Sequence, residues 1–170
     1  LTGDELTEDH WDAFYEYHID TIGRKWGRPY LTREFFSILG ESMSDLAVLV
    51  IAEHEGRRVA GALNLRGSDT IFGRNWGCVE DFKFLHFEAC YYQAIDFAIK
   101  HELKWVEAGA QGPHKIQRGY LPRTVYSAHW IEDPNFRDAV ERFVDQERRE
   151  VEHEIAGLMG YSPYRSTEND

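Results

Sequence analysis

Several features that would point straight to a function are missing from this sequence. Only two cysteines occur in 170 residues, Cys78 and Cys90. They form no CxxC pair, and a disulfide-stapled secreted scaffold uses more. Both are expected to be inert buried thiols in a reducing cytosol, with Cys78 left open as a thiol nucleophile. The eight histidines include no HExxH, and none pairs with cysteine at zinc spacing. No catalytic metal is expected. No apolar run reaches the roughly 18 residues that a bilayer span requires, and no signal peptide is visible. A cytoplasmic protein without membrane attachment is the expectation. Basic charge is also scarce: Lys and Arg total 19 against 30 Asp and Glu, for a formal net charge of −11. Such a chain repels phosphate, which argues against a general nucleic-acid binder. A local basic patch could still hold a small anion.

What is present suits one globular domain with a substantial core. Hydrophobic residues make up 42% of the chain and aromatics 14%. The segment "LTEDHWDAFYEYHIDTI" reads as a helix with Thr7 as N-cap and acids in its first turn. Trp11, Phe14, Tyr15, His18 and Ile22 share one face. "GRKWGRPY" breaks that pattern, and "TREFFSILGESM" reads as a second helix capped by Thr32. "DLAVLVIAEHEG" is a continuous apolar run and reads as a central strand. "RVAGALNLRG" and "TIFGRNWG" complete an antiparallel meander.

"HFEACYYQAIDFAIKHE" follows as a helix, with Phe87, Tyr91, Ala94, Ile95 and Ala98 on one face. "KWVEAGA" reads as a short strand. "RTVYSAHWI" reads as another, with Val125, Ser127 and His129 opposing Tyr126, Ala128 and Trp130. Asp133 caps a long last helix with Pro134 at its first position. Phe136, Val140, Phe143, Val151, Ile155 and Leu158 form its apolar stripe. The tail at 166–170 is expected to be disordered. This order of elements predicts a mixed α+β fold around one sheet.

The order is similar to that of the GNAT (acyl-CoA N-acyltransferase) fold, a central, mostly antiparallel sheet flanked by helices. The stretch "HFEACYYQAIDFAIKHELKWVEAGAQGPHKIQRGYLP" resembles the helix–strand–loop module of FemAB-like acyltransferases. Ala94-Ile95, Ala98-Ile99, Glu107, Gly109, Lys115 and Gly119 carry the likeness. "WG.PYLT.EFF" (Trp26 to Phe36) and "EAGAQG.HK..RGYLP" (Glu107 to Pro122) resemble a subgroup of predicted N-acyltransferases tied to peptidoglycan biosynthesis or recognition. The resemblance spans essentially the whole chain. It implies a GNAT-like domain over residues 1–165, forming the C-terminal half of a longer two-domain protein. The start on Leu1 rather than Met fits that expectation. It also implies an acyl-CoA or aminoacyl-tRNA donor, bound as a substrate and not as a resident cofactor. In one place the sequence departs from the pattern. Acetyl-CoA-dependent relatives carry R/Q-x-x-G-x-G/A before the central helix, where this chain reads "GCVEDFKFLHFE".

Acyl transfer to an amine needs an anion cradle, polar stabilisation of an oxyanion and a base. The cradle candidates are Gly109, Gln111, Gly112, His114, Lys115 and Arg118. Glycines admit close backbone approach, and the cations supply charge. The same residues also fit a solvated surface turn. Glu107 is the candidate base. If buried, its carboxyl needs a partner or carries a raised pKa. It equally fits a structural ion pair with Lys115, Arg118 or Arg123.

His86, at the start of the central helix, is a weaker catalytic candidate or a capping or interface histidine. His129 is expected to be a satisfied sheet histidine. Trp26, Arg28 and Tyr30 fit an acceptor clasp or a loop packed by its own aromatics. Trp76, Glu80 and Asp81 would complete the cleft, the acids attracting an amine or simply facing water. Two rival readings remain: a substrate-recognition module of the same fold, and a structural half that dimerises through its last helix.

Overall fold

The computed structural model describes residues 1–24, 27–109 and 112–165. The chain divides into two compact units, Leu1–Gly109 and Ala110–Asp170, and each is described by itself. The expected tail at 166–170 lies outside the described residues.

The first unit is a mixed α+β layer structure. Helix α1 (Glu8–Arg24) and helix α2 (Arg33–Met43) precede an antiparallel meander of β1 (Ala47–His54), β2 (Arg57–Arg66) and β3 (Thr70–Cys78). The Thr32 hydroxyl accepts a 3.3 Å hydrogen bond from the Phe35 N–H, which satisfies one of the orphan donors at the start of α2. After β3 the chain forms α3 (Leu85–Phe87), a π-helical turn (Glu88–Tyr92) and α4 (Gln93–Lys100). It returns through β4 (Trp105–Glu107), which pairs parallel to β3. The sheet order is β1-β2-β3-β4.

The side-chain period of two decides what each face of β1 covers. Ala47 and Leu49 join Trp11, Phe14, Tyr17, Phe36 and Leu39 in one core beneath α1 and α2. Val48 points to the other side, where it packs with Ile71, Ala94 and Ala98 under α4. A strand covered on both faces reads as a continuous apolar run. That is why β1 looks central in sequence, although the sheet places it at an edge. The first residues of the chain guard that edge. Leu1 and Leu49 exchange main-chain hydrogen bonds of 3.0 and 3.1 Å, and Thr2 bridges Val48. An unpaired edge is otherwise an aggregation hazard.

Gly77 explains how α1 sits so close to the sheet. A Cβ there would collide with the main-chain carbonyl of Tyr17, so only glycine allows the approach.

The second unit contains a 3₁₀ helix, Pro113–Arg118, and the long helix α5, Pro134–Met159. Asp133 caps α5, its carboxylate accepting from the Phe136 N–H at 2.8 Å, with Pro134 in the first turn as expected. One expectation fails here. Residues 123–131 form no strand, and Tyr126 and Trp130 are 92% and 81% exposed. Alternating side chains make a strand only where a neighbour supplies ladder partners. The apolar stripe of α5 likewise buries none of its residues.

Candidate functional site

The pairing of β3 with β4 is short. It joins Thr70 to Trp105, Ile71 to Val106 and Phe72 to Glu107. Beyond Phe72, β3 continues to Cys78 with β2 as its partner, whereas the ladder to β4 ends at Glu107. We call this ladder end, where one strand runs on and its parallel neighbour stops, the wedge. At the same level β3 carries an extra residue: Leu63 faces Asn75 and Asn64 faces Gly73, so Arg74 is bulged. A bulge re-aims side chains and often flanks a site. Buried Asn64 props the region, its amide donating to the Val48 carbonyl at 3.3 Å.

Glu107 ends β4 and is exposed. Its carboxylate is therefore not buried, and only its place at the mouth of the wedge recommends it. Trp76 lies on the free stretch of β3. Its ring meets His86 edge-on, with centroids 5.3 Å apart. His86 in turn meets Phe87 at 5.6 Å and Tyr91 at 5.5 Å. His86 is thus part of an aromatic cluster, which none of its sequence readings anticipated. The helix it belongs to opens on Phe84 in left-handed conformation, without a side-chain cap. Its three residues are followed at once by a π turn, a feature often found near functional sites.

Glu80 and Asp81 do not act as an acidic pair. Glu80 faces Arg57 at 3.6 Å, whereas Asp81 faces Arg24 at 3.3 Å. Arg24 also pairs with Asp20 at 2.8 Å. It donates to the carbonyl of Cys78 and to its sulfur, the latter at 3.2 Å. These contacts, chiefly the bond to Cys78, hold the guanidinium pKa above its usual value. The Cys78 amide donates to the Thr21 hydroxyl at 3.0 Å. Nothing local in the sequence announces this cluster, because its members lie more than fifty residues apart. Cys90 fits the inert reading: burial pushes its thiol up to about 12, so it stays protonated at neutral pH.

Of the proposed acceptor clasp, Arg28 and Tyr30 are exposed, and Trp26 lies outside the described residues. Tyr30 stands edge-on to His18 at 6.2 Å. His18 is buried, its Nε2 has no hydrogen-bond partner, and burial pushes its pKa down. The apolar stripe of α1 included His18 but gave no sign of an unsatisfied nitrogen.

Gly109 closes the first unit in left-handed conformation (φ +75°), and Gln111 lies outside the described residues. In the second unit the 3₁₀ helix runs between two left-handed glycines, Gly112 and Gly119. A Cβ at Gly112 would stand 2.7 Å from the His114 ring. Arg118 donates to the His114 carbonyl at 2.7 Å, which fixes the turn. Lys115 is half-buried, and desolvation lowers its pKa. A desolvated ammonium gains more from an anion than a surface one does. His129, expected inside a sheet, is exposed, with its Nε2 3.0 Å from the Ser127 hydroxyl. With no strand at 123–131, no sheet surrounds it.

The sequence matches the model of the FemAB-like family, described as peptidoglycan biosynthesis/recognition, over residues 1–166. This chain belongs to the FemAB-like family. No curated protein matches it. The match spans the wedge, the aromatic cluster and the Lys115 turn alike. FemAB-like membership ties the chain to peptidoglycan chemistry, and the α+β fold with its mostly antiparallel four-stranded sheet agrees with a GNAT-like architecture. No described helix is long and apolar enough to cross a membrane.

Proposed function

We propose that this FemAB-like chain serves the transfer of an acyl or aminoacyl group from an activated donor to an amine in peptidoglycan metabolism. The observation that carries the reading is the three-residue β3–β4 pairing, beyond which β3 runs on while β4 ends. Main-chain N–H groups at such a strand end are suited to an acyl carbonyl as it becomes an oxyanion. In the reaction the amine nitrogen attacks the acyl carbon, the donor's ester or thioester bond breaks, and the amine proton goes to a base. Glu107 is the proposed base, its exposed carboxylate open to an arriving amine. Independently, Lys115 with His114, Arg118 and the flanking glycines is proposed to hold the anionic part of acyl-CoA or aminoacyl-tRNA. Arg28 and Tyr30 are proposed for the acceptor.

A second reading is a recognition module without chemistry. It is favoured by the connection from Val79 to Phe84. There Glu80 and Asp81 are tied to arginines and no glycine appears, so this loop offers no pyrophosphate seat of the kind acetyl-CoA-dependent relatives use.

The test is mass spectrometry of a peptidoglycan-precursor peptide incubated with the chain and either acetyl-CoA or aminoacyl-tRNA. Transfer should appear as a mass gain. Glu107→Gln should slow it by about 10²-fold or more, and Lys115→Ala should raise the donor KM. Full turnover in Glu107→Gln removes the base role. Binding of the peptide without any mass gain would establish the recognition reading in place of the first.

A further inference from the structure

A second cleft lies on the β1–β2 side of the sheet, away from the wedge. Its volume is about 340 Å³. The end of β1, the start of β2, the 82–85 connection and the π turn form its walls. None of the residues proposed for acyl transfer lines it. The rings of His54, Phe82, Phe84 and Tyr92 do, together with the carboxylates of Glu53 and Glu88 and the ammonium of Lys83.

Four observations bear on what it holds. Phe84 has φ +69°, a conformation that aromatic residues rarely adopt. Its ring is largely exposed, so no burial offsets the strain, and strain of this kind gathers at ligand-binding segments. The Lys83 ammonium lies 4.9 Å from the centroid of that ring, so the π face already serves as a seat for a cation. Phe82 is held in place by His54, with centroids 4.7 Å apart. Glu88 is steadied by Gln93 at 2.8 Å, and Glu53 pairs only loosely with Arg58 at 3.7 Å.

We propose that this cleft binds an organic ammonium ion. Its charge sits over the Phe84 ring on the side of Glu53 and Glu88, and its carbon chain lies against Phe82 and Tyr92. The ligand takes the place of the Lys83 ammonium over Phe84. Glu88 is held by the neutral Gln93 amide and Glu53 by the more distant Arg58, so the carboxylates and the π faces together favour a cation over an anion. The proposal does not depend on the chain being a transferase.

Amide NMR titration of the 170-residue chain with n-pentylammonium, n-pentanol and pentanoate tests it. Pentylammonium should shift resonances of residues 82–92 and bind at least tenfold more tightly than either equal-sized control. Glu88→Gln and Tyr92→Ala replace exposed side chains, so folding should survive, and each should weaken binding about tenfold. Lys83→Ala should tighten it by removing the internal competitor. Equal binding of pentanol would overturn the proposal in favour of a merely apolar groove. Preferred binding of pentanoate would make the cleft an anion site. Shifts indifferent to Glu88→Gln, or no shifts at all, would also end it.

Discussion

The two units of this chain use apolar residues in opposite ways. Between Leu1 and Gly109, helices and sheet close on each other. Trp11, Phe14, Phe36 and Leu49 are buried on one side, and Val48, Ile71 and Ala94 on the other. Between Ala110 and Asp170, Ile116 is the one buried side chain among the described residues. Helix α5 has a regular stripe and a good cap, yet Phe143 remains 63% exposed. Amphipathicity states that an element can pack. Whether it does depends on a second surface arriving at the right place. Homodimerisation through α5 remains a proposal that would supply such a surface.

Core truncation should separate the units most strongly. Leu49→Ala should cost about 2–5 kcal/mol, whereas Phe143→Ala should stay within about 0.5 kcal/mol. Urea unfolding of both variants measures the contrast. A Phe143→Ala loss as large as that of Leu49→Ala would show that α5 is packed in solution.

Helix capping gives the next effect. Asp133→Ala should destabilise α5 by about 1 kcal/mol. Amide hydrogen exchange should quicken in α5 and stay unchanged in β1 to β3. Slowed protection lost evenly over both units would mean that they unfold together.

The smallest effect is the pH response of the first unit. Burial lowers the folded pKa of His18 below its ordinary 6.5. The unfolded chain therefore binds the proton more readily. The contribution is complete above pH 6.5 and is lost as pH falls through the lowered folded value. His10, also lowered by burial, has the same sign. His18→Phe should flatten the slope of stability against pH below 6.5 while leaving stability near pH 7.5 unchanged or slightly higher, because an unsatisfied buried nitrogen is removed. An unaltered slope in thermal melts across that range would assign the response to His10 alone.

Much of the first unit is legible from local pattern. Thr32 and Asp133 mark helix starts through their own side chains, and the β1–β3 meander follows from short turns between apolar runs. The candidate site is less legible. Glu107 and Lys115 stand out by residue type, but the exposure of one and the partial burial of the other are set by distant neighbours. The pairing of Arg24 with Asp81 and Cys78 spans more than fifty residues, and no periodicity reports a contact of that range. The π turn at Glu88–Tyr92 is read from sequence as ordinary helix, because a single turn is too short to alter the period of the surrounding apolar residues.

By itself the sequence determined the elements whose causes are local: the caps, the helical stripes and the alternation of β2. It also carried enough pattern to resemble the family to which the chain belongs. Tertiary structure alone decided which elements found partners. It set β1 at the edge with both faces covered, left 123–131 without a strand to pair with, and ended the β3–β4 ladder after three residues. Hydrogen-bond ladders and burial are properties of pairs of segments, so one segment's composition can permit them but cannot supply the neighbour.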